Sequence, residues 1–201
     1  MRSQATFSAI LWMVGLIVVG GVSLYPSQVR AQGTRWEHYM AEGAKAYQNG
    51  QETNAEMFYL AALEEVQNAD PEDPRLAATL NILAVLYHAQ SKYAQAEQLY
   101  QRVLKLLEQT IGPDHPTLAT TLNNLAVVYE AQDKYGEAAP LYQRALALIE
   151  RTLGPEHPNL AAALDNYADL LRKMQRETEA ESVEARARAI WAKQKGEQSG
   201  K

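Results

Sequence analysis

Two consecutive stretches of this chain are nearly the same sequence, 42 residues apart. Pro71–Gly112 reads PEDPRLAATLNILAVLYHAQSKYAQAEQLYQRVLKLLEQTIG, and Pro113–Gly154 reads PDHPTLATTLNNLAVVYEAQDKYGEAAPLYQRALALIERTLG; they agree at 25 of 42 positions without a gap. A third copy opens at Pro155 with PEHPNLAAALDNYADLL and then drifts. A fixed period of this size marks a stacked array, because one small unit cannot bury its own apolar face and must share it with its neighbours. Such an array presents a long surface and needs no central cavity.

Each unit reads as two helices. In the third, Leu118, Leu122, Leu125, Ala126 and Tyr129 recur at helical spacing, and Pro116 stands at the first helical position. Asp73-Pro74 and His157-Pro158 occupy the same place in the units on either side, so Asp73, His115 and His157 read as cap residues before proline and not as metal ligands. Asp133-Lys134 turns the chain. A second apolar pattern then runs from Tyr135 through Ala138, Tyr142, Ala145 and Ile149 to a stop at Gly154-Pro155. Small residues pair across the two helices: Ala84 with Ala96, Ala126 with Ala138, Ala168 with Ala180. A larger side chain there would force the helix axes apart. The tyrosines at 87, 93, 100, 129, 135 and 142 are expected to wedge between hairpins with their hydroxyls in water.

These residues resemble tetratricopeptide repeats. The family pattern of small and aromatic positions is met by Ala126, Tyr129, Tyr135, Ala138, Tyr142 and Ala145, and by Ala84, Tyr87, Tyr93, Ala96 and Tyr100, with Val103 departing from it. The 42-residue period and the loop phrase GPDHP resemble the kinesin light chain variety. The implied fold is an all-α, right-handed superhelix (an α-solenoid) of about four hairpins. Its expected divisions are 32–70 (a divergent first repeat, with Glu52 where an aromatic belongs), 71–112, 113–154, 155–195 (a charged capping repeat) and a tail, 196–201, frayed from about Lys193. Val183, Ala187, Ile190 and Trp191 are expected to pack inward from the last helix.

The resemblance also implies a binding face. In this family the second, fifth, ninth and twelfth positions of each first helix line a concave groove. Here that selects Asn81, Val85 and His88, then Asn123, Val127 and Glu130, then Asp165, Asp169 and Arg172. Asn81 and Asn123 are carboxamides at one repeat position, able to hold a peptide main chain through both a donor and an acceptor, or else to bond a neighbouring helix. Asn124 and Asn166, one step round the helix, suit packing. Glu130 is expected on the open groove side. The groove lacks the lysine and arginine set with which some relatives grip a terminal carboxylate.

Composition narrows the function further. There is no cysteine, which excludes disulfides, thiolate catalysis and cysteine-based zinc sites. Nineteen basic residues against 24 acidic give a net charge of −5, so no basic footprint for nucleic acid is present. No catalytic triad, paired-carboxylate cleft or phosphate loop can be assigned, so no enzyme activity, cofactor or metal is expected. The N-terminus has Arg2, an apolar run from Ile10 to Val22, and Val29-Arg30-Ala31 as a small-x-small cleavage site. Residues 1–31 therefore read as a signal peptide, with Gln32 starting the mature chain, or as an uncleaved anchor of marginal length, Phe7–Leu24. The expectation is a monomeric scaffold, exported (periplasmic or extracellular if the source is bacterial) or held to the membrane by that segment, that binds a protein or peptide segment. The alternative is a membrane-tethered assembly factor of an envelope complex.

Overall fold

The computed structural model describes residues 27–68 and 73–199, and over them the chain is all-helical. The helices are α1 (Ser27–Gln48), α2 (Glu52–Val66), α3 (Pro74–Ala89), α4 (Tyr93–Thr110), α5 (Thr117–Ala131), α6 (Tyr135–Leu153), α7 (Pro158–Lys173) and α8 (Glu177–Ser199). Most of the expected leader, residues 1–26, lies outside the described residues; residues 27–31 open α1. Among the described residues no helix is long and apolar enough to cross a membrane.

The chain divides into two compact units, one ending at Leu83 and the other beginning at Ala84. In the first, α1 and α2 form a hairpin. They pack tightly at Gly43, where an added Cβ would stand 2.5 Å from the Tyr59 ring. Burial pushes the Tyr59 hydroxyl up to about 12. Trp36 of α1 is buried and donates its Nε1–H to Thr79 Oγ1 of α3 at 2.8 Å, while the Thr79 hydroxyl donates to the Arg75 carbonyl.

The second unit contains the end of α3, α4, and the hairpins α5–α6 and α7–α8; α4 packs on α5 and α6 on α7. The alanine pairs sit where the sequence placed them. Ala84, Ala96, Ala126, Ala138, Ala168 and Ala180 are all fully buried or nearly so, and the last four join Tyr142, Tyr167, Leu170 and Leu171 in one core cluster. Successive hairpins are also tied by polar contacts. Gln101 Nε2 donates to the Tyr129 hydroxyl at 2.9 Å, and Gln143 Nε2 to the Tyr167 hydroxyl at 2.9 Å. The last hairpin thus carries its tyrosine one helical turn earlier yet presents its hydroxyl to the same glutamine. Between successive hairpins, Glu108–Arg144 (2.8 Å) and Glu150–Arg186 (2.6 Å) repeat at the 42-residue period. So do Asp114–Arg151 and Glu156–Lys193. These pairs are exposed and add little stability each.

Local signals fix the helix ends. Asp73 Oδ1, His115 Nδ1 and His157 Nδ1 each accept the backbone N–H two residues on, at 2.9, 3.3 and 3.1 Å. Asp73 and His157 stand directly before the first helical residue, a proline, as their place suggests, while His115 makes the same bond one residue further out, before the Pro116 that precedes α5. Burial raises the Asp73 carboxyl, but its bonds to Arg75 more than offset this and hold it below the usual carboxylate range. Each hairpin turn places one residue in the left-handed region: Gly50 (φ 72°), Ser91 (58°), Asp133 (59°) and Gln175 (60°). The N–H that follows bonds back five residues, as from Lys134 to the Tyr129 carbonyl at 2.9 Å, closing the helix end. Only the first turn uses glycine there. At the C-terminus α8 runs on to Ser199, past Lys193 where a frayed tail was expected. The stretch 193–199 contains no proline and several strong helix formers, so nothing in it stops the helix.

Candidate functional site

The first helices of the hairpins carry the candidate face. Along α5, Leu118, Ala119, Thr121, Leu122, Asn124, Leu125, Ala126 and Val128 are buried. Thr120, Asn123, Val127 and Glu130 are half-open along one register, as are Thr117, Tyr129 and Ala131 towards the helix ends. Along α7, Leu160, Ala161, Ala163, Leu164, Tyr167, Ala168, Leu170 and Leu171 are buried; Ala162, Asp165, Asp169 and Arg172 are open at the same register, with Asn166 beside them and Pro158, Asn159 and Lys173 at the helix ends. The repeat register therefore picks out positions three or four residues apart on one side of each helix.

The side chains on that stripe differ in how free they are. Asn123 Oδ1 accepts a hydrogen bond from Asn166 Nδ2 at 3.3 Å, so the carboxamide is half committed to the next hairpin. Asn166 is the packing residue its register suggested, and its partner is the candidate binder itself. Val127 is half-buried against the core cluster. Asp165 Oδ2 accepts the indole N–H of Trp191 at 3.0 Å. Burial raises the Asp165 carboxyl, the Trp191 bond lowers it, and the charges of Asp169 and Glu184 add to the rise; it stands above its ordinary value. Asp169 is exposed and meets Arg172 at 3.2 Å.

Glu130 corrects the sequence reading. Its side chain is only 13% exposed; Oε2 accepts from the Tyr142 hydroxyl at 3.0 Å and Oε1 pairs with Lys173 Nζ at 2.9 Å. Both oxygens are used inside the array, so Glu130 is a strut joining α5, α6 and α7. The Tyr142 hydroxyl is correspondingly not in water. Burial first, then the charge of Glu130, drives it far above the ordinary tyrosine range. Tyr100, the equivalent in the preceding hairpin, is also fully buried and raised by burial, with the Asn124 side chain beside it acting in the opposite direction. Tyr135, at the turn, keeps its hydroxyl at the surface and donates to Asp133 at 2.6 Å.

The last hairpin reverses the polarity of this strut. Arg172 stands at the position of Glu130, and Glu184 at that of Tyr142; they pair at 2.5 Å, with Glu177 and Asp169 also on the guanidinium. Here an ion pair that tolerates water replaces a buried phenol. Trp191 is a second correction. Ala187 and Ile190 pack inward, but Trp191 is 37% exposed beside Asp165. The equivalent in the previous hairpin is Ile149, which is buried.

Three sites lie on α3. Val85 is 8% exposed, a core residue and no part of an open face, because Ala84 through Tyr87 are all buried at that turn of the helix. His88 is half-buried with its ring 5.6 Å from Tyr93, and burial lowers its pKa. Asn81 belongs to the first unit, where its buried Oδ1 has no hydrogen-bond partner. Among the described residues no group of three or more potential metal ligands gathers. Lys173 and Trp191 are the functional neighbours that sequence reasoning missed. The basic pair Arg172-Lys173 was visible, but nothing in it says that Lys173 reaches back to Glu130.

The packed hairpins of the second unit, with their alanine crossings, define a repeat scaffold. The tetratricopeptide repeat model matches residues 43–109, 76–148 and 117–193. The chain belongs to the tetratricopeptide repeat family. Among solved structures it is similar to BtubC (BKLC) from P. vanneervenii, at 25% identity and a TM-score of 0.73 over 80% of this chain; it spans 65% of that protein's length. It is also similar to a putative kinesin light chain from Podosopora anserina with nearly identical TPR-like repeats, at 25% identity and a TM-score of 0.65, over 95% of this chain and 88% of that one. Aspartyl phosphate phosphatase F from Bacillus subtilis matches 80% of this chain and 41% of its own, at 20% identity and a TM-score of 0.69, a likeness of fold alone. No curated protein matches.

Proposed function

We propose that this chain is an exported protein–protein interaction scaffold that takes a peptide or protein segment along the first-helix side of its hairpins, the concave groove of a repeat array. The repeat family as a class supports a role in protein binding. The observation that carries the reading to a face is the stripe on α5 and α7. On those two helices Thr120, Asn123, Val127, Ala162, Asp165 and Asp169 share one repeat register and stay half-open or exposed between largely buried faces. A preorganised face of this kind binds without a large ordering cost.

The test is selection of binding peptides from a random library on the full chain, followed by substitution on the stripe. Asn123→Ala should weaken a selected peptide by about 0.5–1.5 kcal/mol, the net worth of one neutral hydrogen bond. Its effect on the melting temperature should be small, since Asn166 is half-exposed and can turn to water. If selected peptides ignore Asn123→Ala and Val127→Arg, but lose affinity on Arg144→Ala of α6, the face is wrongly placed.

Export rests on the sequence of residues 1–31. The mature protein is expected to begin at Gln32, read by intact mass of the protein recovered from its source. A mass that retains residues 1–31 favours the alternative, a membrane-tethered assembly factor built on the same array.

A further inference from the structure

We propose that Asn49-Gly50, in the turn between α1 and α2, is a site of spontaneous covalent modification: the Asn49 side chain closes on the Gly50 backbone nitrogen, water opens the ring to an aspartyl or isoaspartyl residue, and the isoaspartyl product unlatches the turn. Every other asparagine of the chain precedes a residue with a side chain, which crowds such a ring closure. The site lies in the first unit and does not depend on the docking face.

The reaction needs only the groups of the turn and water. The Gly50 nitrogen bonds to Asn49 Cγ, the bond from Cγ to Nδ2 breaks, and the Gly50 amide proton leaves with that nitrogen as ammonia. A five-membered imide results. Water then adds to one of its two carbonyls. Opening at Cγ restores the ordinary backbone with a carboxylate side chain. Opening at the Asn49 main-chain carbonyl leaves the chain running through Cβ, one carbon longer, with the carboxylate on Cα. The other hairpin turns are barred from this step at the same place. Ser91, Asp133 and Gln175 hold the left-handed position there, preceded by Gln90, Gln132 and Met174. A glutamine would have to close a six-membered ring onto a residue that carries a side chain, and methionine has no amide.

The turn is open and lightly tied. Asn49 is exposed, one residue past the end of α1. Gly50 is exposed too, at φ 72°, with nothing within 4 Å of where a Cβ would stand, so no neighbour crowds it. One bond holds its N–H, to the Tyr47 carbonyl at 3.0 Å, and this bond must open before the nitrogen can react. Helix ends at a surface open this way readily. The product then damages the turn. The Gln51 N–H closes the end of α1 on the Ala46 carbonyl at 2.9 Å. An extra backbone carbon between residues 49 and 50 moves both N–H groups away from their carbonyls. The new carboxylate also stands at the negative end of the α1 dipole, with Glu52 at the start of α2. Lys45, one turn back in α1, answers part of that charge, but nothing answers the added carbon.

The experiment ages the full chain at physiological temperature and mildly alkaline pH, then maps its peptides by mass and by separation of the isomers. The peptide holding Asn49 should exchange its amide nitrogen for oxygen, with the isoaspartyl isomer beside the aspartyl one, while Asn54, Asn159 and Asn166 stay intact. The folded chain should react about twofold to tenfold more slowly than the chain in denaturant, the factor for opening one hydrogen bond. Asn49→Gln should abolish the product and leave the fold in place, since residue 49 is exposed. The isoaspartyl fraction, separated by anion exchange, should melt about 2–8 °C below the fresh chain, the shift for one or two lost backbone bonds. Asn49→Asp adds the charge without lengthening the backbone and should shift the melt less. Four results overturn the proposal: earlier loss at another asparagine, an aspartyl product with no isoaspartyl isomer, no product in the folded chain while the denatured chain converts fully, or an isoaspartyl fraction that melts with the fresh chain.

Discussion

Ala126→Arg is expected to unfold much of the second unit. Ala126 has no solvent exposure and sits in the core cluster with Ala138, Tyr142, Tyr167 and Ala168. The crossing of α5 with α6 leaves room for a methyl group on each side. An arginine there would both overpack the crossing and bury a charge among alanines and ring carbons that offer no acceptor. Overpacking alone costs about 1–3 kcal/mol, and an unpaired buried charge adds several more, so the total should exceed about 4 kcal/mol. The damage should spread, because a hairpin in a stacked array is stabilised by its neighbours on both sides. Thr120→Arg is the matched control: the same side chain, six residues earlier, on the half-open stripe, with an expected change within about 0.5 kcal/mol. Urea unfolding followed by circular dichroism separates them. Equal losses for the two variants would mean that the buried and open faces of α5 are misassigned.

The contrast between those two positions was legible before any coordinates, because the chain carries its own comparison. Three copies of one unit expose which positions keep a small residue, and a position that stays alanine at 84, 126 and 168 is one where helices touch. The cap residues were readable for the same reason: Asp73, His115 and His157 differ chemically but share a register before proline. Register also picked out the open stripe. It could not say what reaches each open position from elsewhere. Glu130 has the spacing of a groove residue, yet its partners come from Tyr142, twelve residues on, and Lys173, in the next hairpin. Val85 has the same register as Val127, but the turn of α3 around it is buried. Trp191 reads as core because tryptophan is large and apolar; it stands 37% exposed beside Asp165, although Ile149 at the same register is buried. In each case the local pattern was right about the helix and silent about the neighbour.

Glu130→Ala should be the costliest change on the stripe, although the spacing of Glu130 alone suggests a harmless surface residue. Two groups lose a partner. Lys173 is half-exposed and returns to water, so its share is below about 1 kcal/mol. Tyr142 has no exposure, and its hydroxyl would be left buried without an acceptor. That desolvation penalty is about 1–3 kcal/mol, somewhat more where the lost partner is charged. A total near 2–3 kcal/mol follows. Glu130→Gln should cost less, since its amide oxygen still accepts from the phenol. Tyr142→Phe removes the hydroxyl itself and should cost about 1 kcal/mol, the net value of the bond. The decisive measurement is the double-mutant cycle. Once phenylalanine has replaced Tyr142, Glu130→Ala no longer strands a donor, so the double variant should be more stable than the two single losses predict, with a coupling of about 1–2 kcal/mol. Strict additivity, or a Glu130→Ala loss no greater than that of Thr120→Ala, would show that the phenol and the carboxylate do not meet in solution. Glu130 would then return to the open face, free to meet a ligand.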